Sequence, residues 1–284
     1  MSHISINNKL VKEKDAVIPI SDRGLRFGDG VFETILLRYG KPYLWASHMH
    51  RLEEGLAALS IDADVSELEQ QSLSLIKKNN ITDGILRIMI TRGSGSRGYL
   101  PMPKEGDAPT IIIEANPLPQ MNFREHIELY VSSWRKPSPL ALPTEHKLMQ
   151  GVNSTLAKLE ARENDCMEAL MLSEKGHVAE CSSYNIFWMR GKTIYTPCTS
   201  TGCLAGVTRD KLLRLTPYRF KAGRYSLRAL LKADAVILTS SLALAVPVHG
   251  IKGHKVQWGE SDKLANLCNM AFEQDIENSL NDDD

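Results

Sequence analysis

The spacing of apolar residues changes period repeatedly along this chain, and that switching constrains the fold more than any other feature. Over residues 85–91, Leu86, Ile88 and Ile90 alternate with Arg87, Met89 and Thr91, the period of two that marks a strand with one buried face. Over 47–59 the period lengthens. Leu52, Leu56 and Leu59 fall at i, i+4 and i+7 with Glu53 and Glu54 opposite, which predicts a helix capped by Ser47 with Arg51 in its first turn. A second helix is predicted over 65–79 with Leu68, Leu73 and Ile76 on its apolar face, and a short strand over 110–115 behind Pro109.

The same switching continues in the C-terminal half. Strands are predicted over 127–133, 169–172, 184–189, 192–196 and 235–239, and an amphipathic helix over 152–163 through Val152, Leu156 and Leu159. A glycine- and threonine-rich loop, 198–206, runs into a further helix starting near Val207. Strand clusters broken by isolated helices predict an α+β fold rather than a strictly alternating sheet.

A chain of 284 residues with 43% hydrophobic content is too long for one ordinary core and suits two domains. The segment 116–123, NPLPQMNF, has two prolines and no period, so a linker is predicted over 117–123 between a smaller N-terminal domain, 1–116, and a larger C-terminal domain, 124–284. Lys plus Arg equals Asp plus Glu at 34 each, so no net field favours nucleic acid or an anionic membrane. The terminal acidic run, 282–284, reads as a solvated tail. Five cysteines without C-x-x-C spacing indicate neither a disulfide framework nor a zinc site. The start lacks a basic, then apolar, leader and no run reaches about 18 apolar residues, so a soluble cytoplasmic protein is expected.

Several motifs offer chemistry. Residues 21–34, SDRGLRFGDGVFET, place three glycines among charges and two phenylalanines; a hairpin turn or a close backbone approach to a ligand would both use them. Residues 91–99, TRGSGSRGY, put Arg92 and Arg97 about a mobile glycine loop, where an arginine can fork onto a carboxylate. The helix start at Val207 and Thr208 leaves backbone N–H groups without intrahelical acceptors, an anion site suited to phosphate. Glu180 leads into an apolar strand, and a buried glutamate demands a cationic or proton-sharing partner. His48 and His50 are half of a metal-like pair, but no third ligand follows at helical spacing, and no metal is expected.

Taken in order, SDRGLRFGDGVFET, HMHRLEEGL, RGSGSRGY, HKLMQGVNSTLAKLEA, AECSSYNIFW and GVTRDKLL resemble the class-IV pyridoxal-phosphate family, the D-amino-acid aminotransferase-like fold also called fold type IV. The resemblance implies two domains with a cofactor cleft between them. It makes Lys147, ahead of the L-A-K-x-E-A helix, the lysine that carries pyridoxal 5'-phosphate as a Schiff base. It places Glu180 against the pyridine nitrogen and Arg51 on the phosphate, with Val207, Thr208 and Ser241 completing the phosphate cradle. It assigns Arg97 to a substrate carboxylate and Phe32 to the substrate pocket, and implies a homodimer acting on a small molecule. The chemistry is consistent: a lysine amine attacks an aldehyde only when neutral, which a cationic, partly desolvated site favours.

The family includes branched-chain and D-amino-acid aminotransferases and 4-amino-4-deoxychorismate lyase. Cys181 after Glu180, RGSGSRGY and the K-x-I-Y-T-P segment at 192–197 resemble the lyase, which releases pyruvate and forms p-aminobenzoate for folate synthesis. FGDGVFET matches the aminotransferases equally well, and Gln150 stands where lyases often have asparagine, so the aminotransferase reading stays open. A non-catalytic binding protein on the same fold would be expected to lack the lysine or the glutamate, and both are present.

Overall fold

A computed structural model describes residues 2–102, 106–119, 127–256 and 258–281 of the chain. Most of the predicted linker, from residue 120, and the acidic tail at 282–284 lie outside the described residues. The chain forms two compact units: 1–120 together with 146–150, and 121–145 together with 151–284. Lys147 therefore belongs to the first unit, where a single cut at 117–123 would have put it in the C-terminal domain.

In the first unit, β1 (His3–Ile6), β2 (Lys9–Lys12), α1 (Arg23–Phe27), β3 (Gly30–Arg38), β4 (Lys41–Pro42), α2 (Trp45–Ala58), α3 (Leu68–Asn79), β5 (Gly84–Thr91) and β6 (Thr110–Pro117) follow one another. Their strands make one sheet in the order β2-β1-β6-β5-β3-β4. The alternation over 85–91 is borne out, since Leu86, Ile88 and Ile90 are each fully buried. They pack with Leu52 and Leu56 of α2 and with Leu68, Leu75 and Ile76 of α3. Three expectations need correction. Helix α2 starts at Trp45 behind Leu44, so Ser47 lies inside it and Arg51 in its second turn. Leu75, not the exposed Leu73, completes the buried face of α3. Residues 23–27 form a short helix, closed by Gly28 in the left-handed conformation at φ 64, which glycine adopts without steric cost.

The second unit comprises β7 (Glu128–Arg135), α4 (Val152–Glu163), β8 (Glu168–Leu172), β9 (Val178–Cys181), β10 (Asn185–Arg190), β11 (Thr193–Pro197), α5 (Val207–Leu215), β12 (Arg219–Gly223), α6 (Leu227–Leu230), β13 (Ala235–Ser240), β14 (Leu244–Val248), β15 (Gly250–Ile251) and α7 (Ser261–Asn281). They make a five-stranded sheet, β12-β11-β10-β13-β14, and a four-stranded one, β15-β7-β8-β9. Leu129, Leu170, Ile186, Trp188, Val236 and Val248 share a core. Helix α4 has the predicted bounds but the opposite face. Val152 and Leu159 are exposed, while Ala157 and Ala161 pack on Ala169 and Met171, because alanines let the helix backbone approach the sheet closely. No described helix is long and apolar enough to cross a membrane.

Candidate active site

Lys147 owes its position to an open sheet edge. Strand β4 pairs with β3 only at Leu37 and Arg38, which leaves the first half of β3 free on that side. Residues 147–149 fill the edge: Phe32 N donates to Lys147 O at 3.0 Å, Met149 N donates to Gly30 O at 3.0 Å, and Val31 pairs with Leu148. Backbone hydrogen bonds thus fix where the lysine starts. Its Nζ lies 4.3 Å from the centre of the Phe32 ring, and the Arg87 guanidinium carbon lies 5.1 Å from the same ring. An aromatic face attracts cations at such distances.

Phe32 and Glu33 point to opposite faces of β3, as successive strand residues must. Glu33 is fully buried towards α2. Its Oε1 accepts from Arg51 Nε at 2.7 Å, and its Oε2 accepts from Arg51 Nη2 at 2.6 Å. His48 Nδ1 lies 2.7 Å from Oε2. Burial pushes the Glu33 carboxyl up, but the Arg51 charge and the hydrogen bonds from His48 and Arg51 outweigh it and hold the group down at about 2. Burial pushes His48 below its ordinary value against the pull of Glu33, and the charges of Arg51 and Lys147 push the same way. The His48 and His50 side chains diverge, since His50 is exposed and pairs with Glu54 at 3.4 Å. The geometry gathers Phe32, Arg51 and Lys147 in one unit and adds Glu33, which spacing did not single out, with His48 of the His48 and His50 pair seated on its carboxylate.

Arg97 is exposed on the loop after β5. Arg92, at the start of that loop, is engaged. It meets Asp29 at 2.8 Å and donates to the carbonyl oxygens of Leu59 and Ser60 at 2.7 and 2.8 Å.

The second unit gathers a different set. Glu180 lies within its own strand, β9, rather than ahead of one, and is buried at 6% exposure. The partner its burial requires is Lys136, whose Nζ is 2.7 Å from Oε1. Oε2 accepts from Asn185 Nδ2 at 3.1 Å and from Leu204 N at 3.0 Å. Asn185 also donates to Leu204 O at 3.0 Å, so it ties the strand carrying Glu180 to the loop before α5. Gly206 ends that loop, and a Cβ there would fall 2.0 Å from Asn185 Oδ1. Only glycine permits that approach. Val207 and Thr208 are buried at the α5 N-terminus, and no side chain caps it. Asn185 faces Thr239 across β10 and β13, and Thr239 Oγ1 is buried without a hydrogen-bond partner among the described residues. Ser241 follows just beyond β13, half-buried.

Cys181, next to Glu180, is 1% exposed, and burial pushes its thiol far up. It acts as packing, not as a nucleophile. Among the described residues no group of three or more His, Cys, Asp or Glu side chains could hold a metal ion.

Comparison with known proteins shows the family of the chain. The sequence profile of amino-transferase class IV matches residues 30–251, a span that includes Phe32, Arg51, Lys147, Glu180, Val207, Thr208 and Ser241. The aminodeoxychorismate lyase of Bacillus subtilis (strain 168) is 33% identical over 98% of this chain and 96% of its own. A putative branched-chain-amino-acid aminotransferase of Methanocaldococcus jannaschii is 32% identical over 92% of each chain. The branched-chain amino acid aminotransferase of T.th., solved with pyridoxamine 5'-phosphate, superposes with a TM-score of 0.87 at 25% identity, over 96% of this chain and 93% of that one. With the profile spanning most of the chain and a nearly full-length relative one third identical, this chain belongs to the amino-transferase class IV family.

Proposed function

We propose that this chain is a pyridoxal-phosphate-dependent 4-amino-4-deoxychorismate lyase, with Lys147 as the residue that attaches the cofactor. The observation that carries the reading is the Lys147 amine, fixed by the β3 edge over the Phe32 ring in the unit that also holds the buried Arg51.

The donor set suits the cofactor. In the first unit stand an amine for the aldehyde and a guanidinium for the phosphate. In the second, the uncapped N-terminus of α5, Ser241 and the orphaned hydroxyl of Thr239 offer further phosphate donors. Glu180 offers a carboxylate with about four acceptor sites. Three are taken by Lys136, Asn185 and Leu204, and the last, on Oε1, suits a pyridinium N–H. When bound, pyridoxal phosphate supplies an electron sink for charge left at a deprotonated carbon.

The chain's own groups do the rest. Lys147 Nζ removes the proton from the ring carbon bearing the substrate's amine. The ring-to-oxygen bond breaks, and a proton returns to the methylene carbon of the departing group, which leaves as pyruvate. The ring becomes p-aminobenzoate, and aromatisation drives the step. Arg97 holds a substrate carboxylate and Phe32 lines the pocket.

The Methanocaldococcus relative, almost as similar as the lyase, supports a second reading as an aminotransferase, in which the same lysine moves the proton without loss of pyruvate. Purified enzyme given aminodeoxychorismate is expected to release p-aminobenzoate and pyruvate in equal amounts. Turnover of branched-chain or D-amino acids with 2-oxoglutarate, and none of aminodeoxychorismate, would overturn the lyase in favour of the aminotransferase.

A homodimer is part of the proposal. Val17, Ile20, Leu25, Tyr99 and Leu100 of the first unit are each at least 64% exposed, apolar area that a second copy would cover. Sedimentation at twice the chain's 31.7 kDa is the expected result. The five cysteines, all free, fit the cytoplasm.

A further inference from the structure

Arg23, at the start of α1, is 3% exposed, and its guanidinium holds a loop by its backbone. Nε pairs with Asp29 Oδ2 at 2.8 Å, which balances the charge. Nη1 donates to the carbonyl oxygens of Ser96 and Gly98 at 3.2 and 2.8 Å, and Nη2 to that of Tyr99 at 3.1 Å. Arg23 N also donates to Gly93 O at 2.9 Å. Ser21 and Ser94 join through their hydroxyls at 2.9 Å. The Phe27 ring lies 4.7 Å from the Arg23 guanidinium carbon and 5.6 Å from the Tyr99 ring. Asp29 binds Arg92 as well, at 2.8 Å, so one end of the segment 92–99 is held by Asp29 itself and the other by the Arg23 that pairs with it. Left alone, a segment with three glycines would sample many conformations. Here its carbonyls turn in towards Arg23 while the side chains of Arg97 and Tyr99 face solvent.

We propose that Arg23 is a positioning residue for the substrate's carboxylate: it locks the segment 93–99 so that Arg97 is presented in one orientation. The proposal rests on the reading of Arg97 as the carboxylate-binding residue. Arginine is required because three carbonyls and a carboxylate must be met by one planar fork of five N–H donors, which a lysine ammonium cannot span.

The test uses Arg23→Met, Arg23→Lys and Arg97→Ala in the holoenzyme. Trypsin cleavage after Arg97, followed by mass spectrometry of the native protein, is expected to quicken by about tenfold in Arg23→Met as the loop opens. KM for aminodeoxychorismate is expected to rise by about tenfold with a much smaller change in kcat, because orientation of a carboxylate is lost while the lysine chemistry is not. In the Arg97→Ala background Arg23→Met should add nothing further to KM. Arg23→Lys, which keeps the charge beside Asp29 and guards against a folding defect, should fall between wild type and Arg23→Met in both readouts. Unchanged trypsin cleavage overturns the lock. Faster cleavage with an unchanged KM, or KM effects that add in the double variant, overturns the link to Arg97. If wild type does not turn over aminodeoxychorismate, the lyase reading fails by itself. The KM comparison then moves to whichever amino donor is turned over, and the protease arm still decides on the lock.

Discussion

Glu33 and Arg51 form a two-armed ion pair with both side chains withdrawn from solvent, at 0% and 7% exposure, and with 2.6 Å between Arg51 Nη2 and Glu33 Oε2. The proposed phosphate-binding arginine is therefore half neutralised from behind before any anion arrives. Its fork is aimed by a carboxylate on β3, and that carboxylate also holds His48.

Removing the carboxylate leaves a buried guanidinium unpaired. Glu33→Gln should destabilise the cofactor-free protein by about 3–5 kcal/mol, read from urea denaturation at neutral pH. The pH dependence has a definite sign. The Glu33 carboxyl is held at about 2 in the folded chain against an ordinary value of 4.5. Its contribution is therefore present above about 4.5 and is lost as pH falls towards 2. The variant should lose that part of the acid sensitivity. His48, lowered by burial, adds a loss of stability as pH drops below its ordinary value, and this part should survive in the variant. An unaltered acid limb in Glu33→Gln would contradict the assignment.

Lys147→Ala should abolish the visible absorbance of the bound cofactor and lower turnover by at least about a thousandfold, since the proposed function gives one amine both attachment and proton transfer. Its backbone bonds to β3 do not need the side chain, so circular dichroism should be unchanged. Substantial turnover in this variant would remove the basis of the proposed function.

In the second unit, Lys136 is the residue that no motif announced. Lys136→Met leaves Glu180 its two other donors, Asn185 and Leu204, but no ion-paired cation among the described residues. A loss of about 2 kcal/mol in stability is expected from the uncompensated charge, smaller than for Glu33→Gln because Lys136 retains 13% exposure. Calorimetric unfolding of the two variants side by side would check the ranking.

What could be read in the sequence and what could not divides along physical lines. Strand β5 was legible because its period of two is local, and the start of α5 because glycine at 206 precedes a helical pattern. The bounds of α4 were legible too, but not its face. Leucine and valine suggested burial, whereas the sheet took the smooth side with Ala157 and Ala161, a preference for close approach that hydrophobicity does not encode. Helix α7 went unseen although Leu264, Cys268, Phe272 and Ile276 follow a helical spacing and are buried, because asparagines and acids interrupt the pattern. Arg51, Lys147 and Glu180 entered through motif resemblance. Glu33 and Lys136 did not, because their partners lie 18 and 44 residues away along the chain, separations that no local period records.

Gly206 tests how tightly the second residue set is built. Its φ of −72° is open to any residue, so Gly206→Ala brings no backbone strain. The added Cβ would meet Asn185 Oδ1 at 2.0 Å and the Arg209 Cβ at 3.1 Å, and the softer of the two must yield. Asn185 is the one that moves, and in moving it gives up its bonds to Glu180 Oε2 and Leu204 O. The start of α5 then shifts away from Glu180. Stability should fall by about 1–3 kcal/mol, as for other overpacked sites, and cofactor affinity by about tenfold, because the proposed phosphate donors and the glutamate would be displaced together. Asn185→Ala combined with Gly206→Ala removes the clash, so the double variant should recover part of the stability lost in Gly206→Ala without recovering cofactor affinity. Equilibrium titration of both variants with pyridoxal phosphate separates the two effects, and full recovery of affinity in the double variant would show that Asn185 has no part in holding the set together.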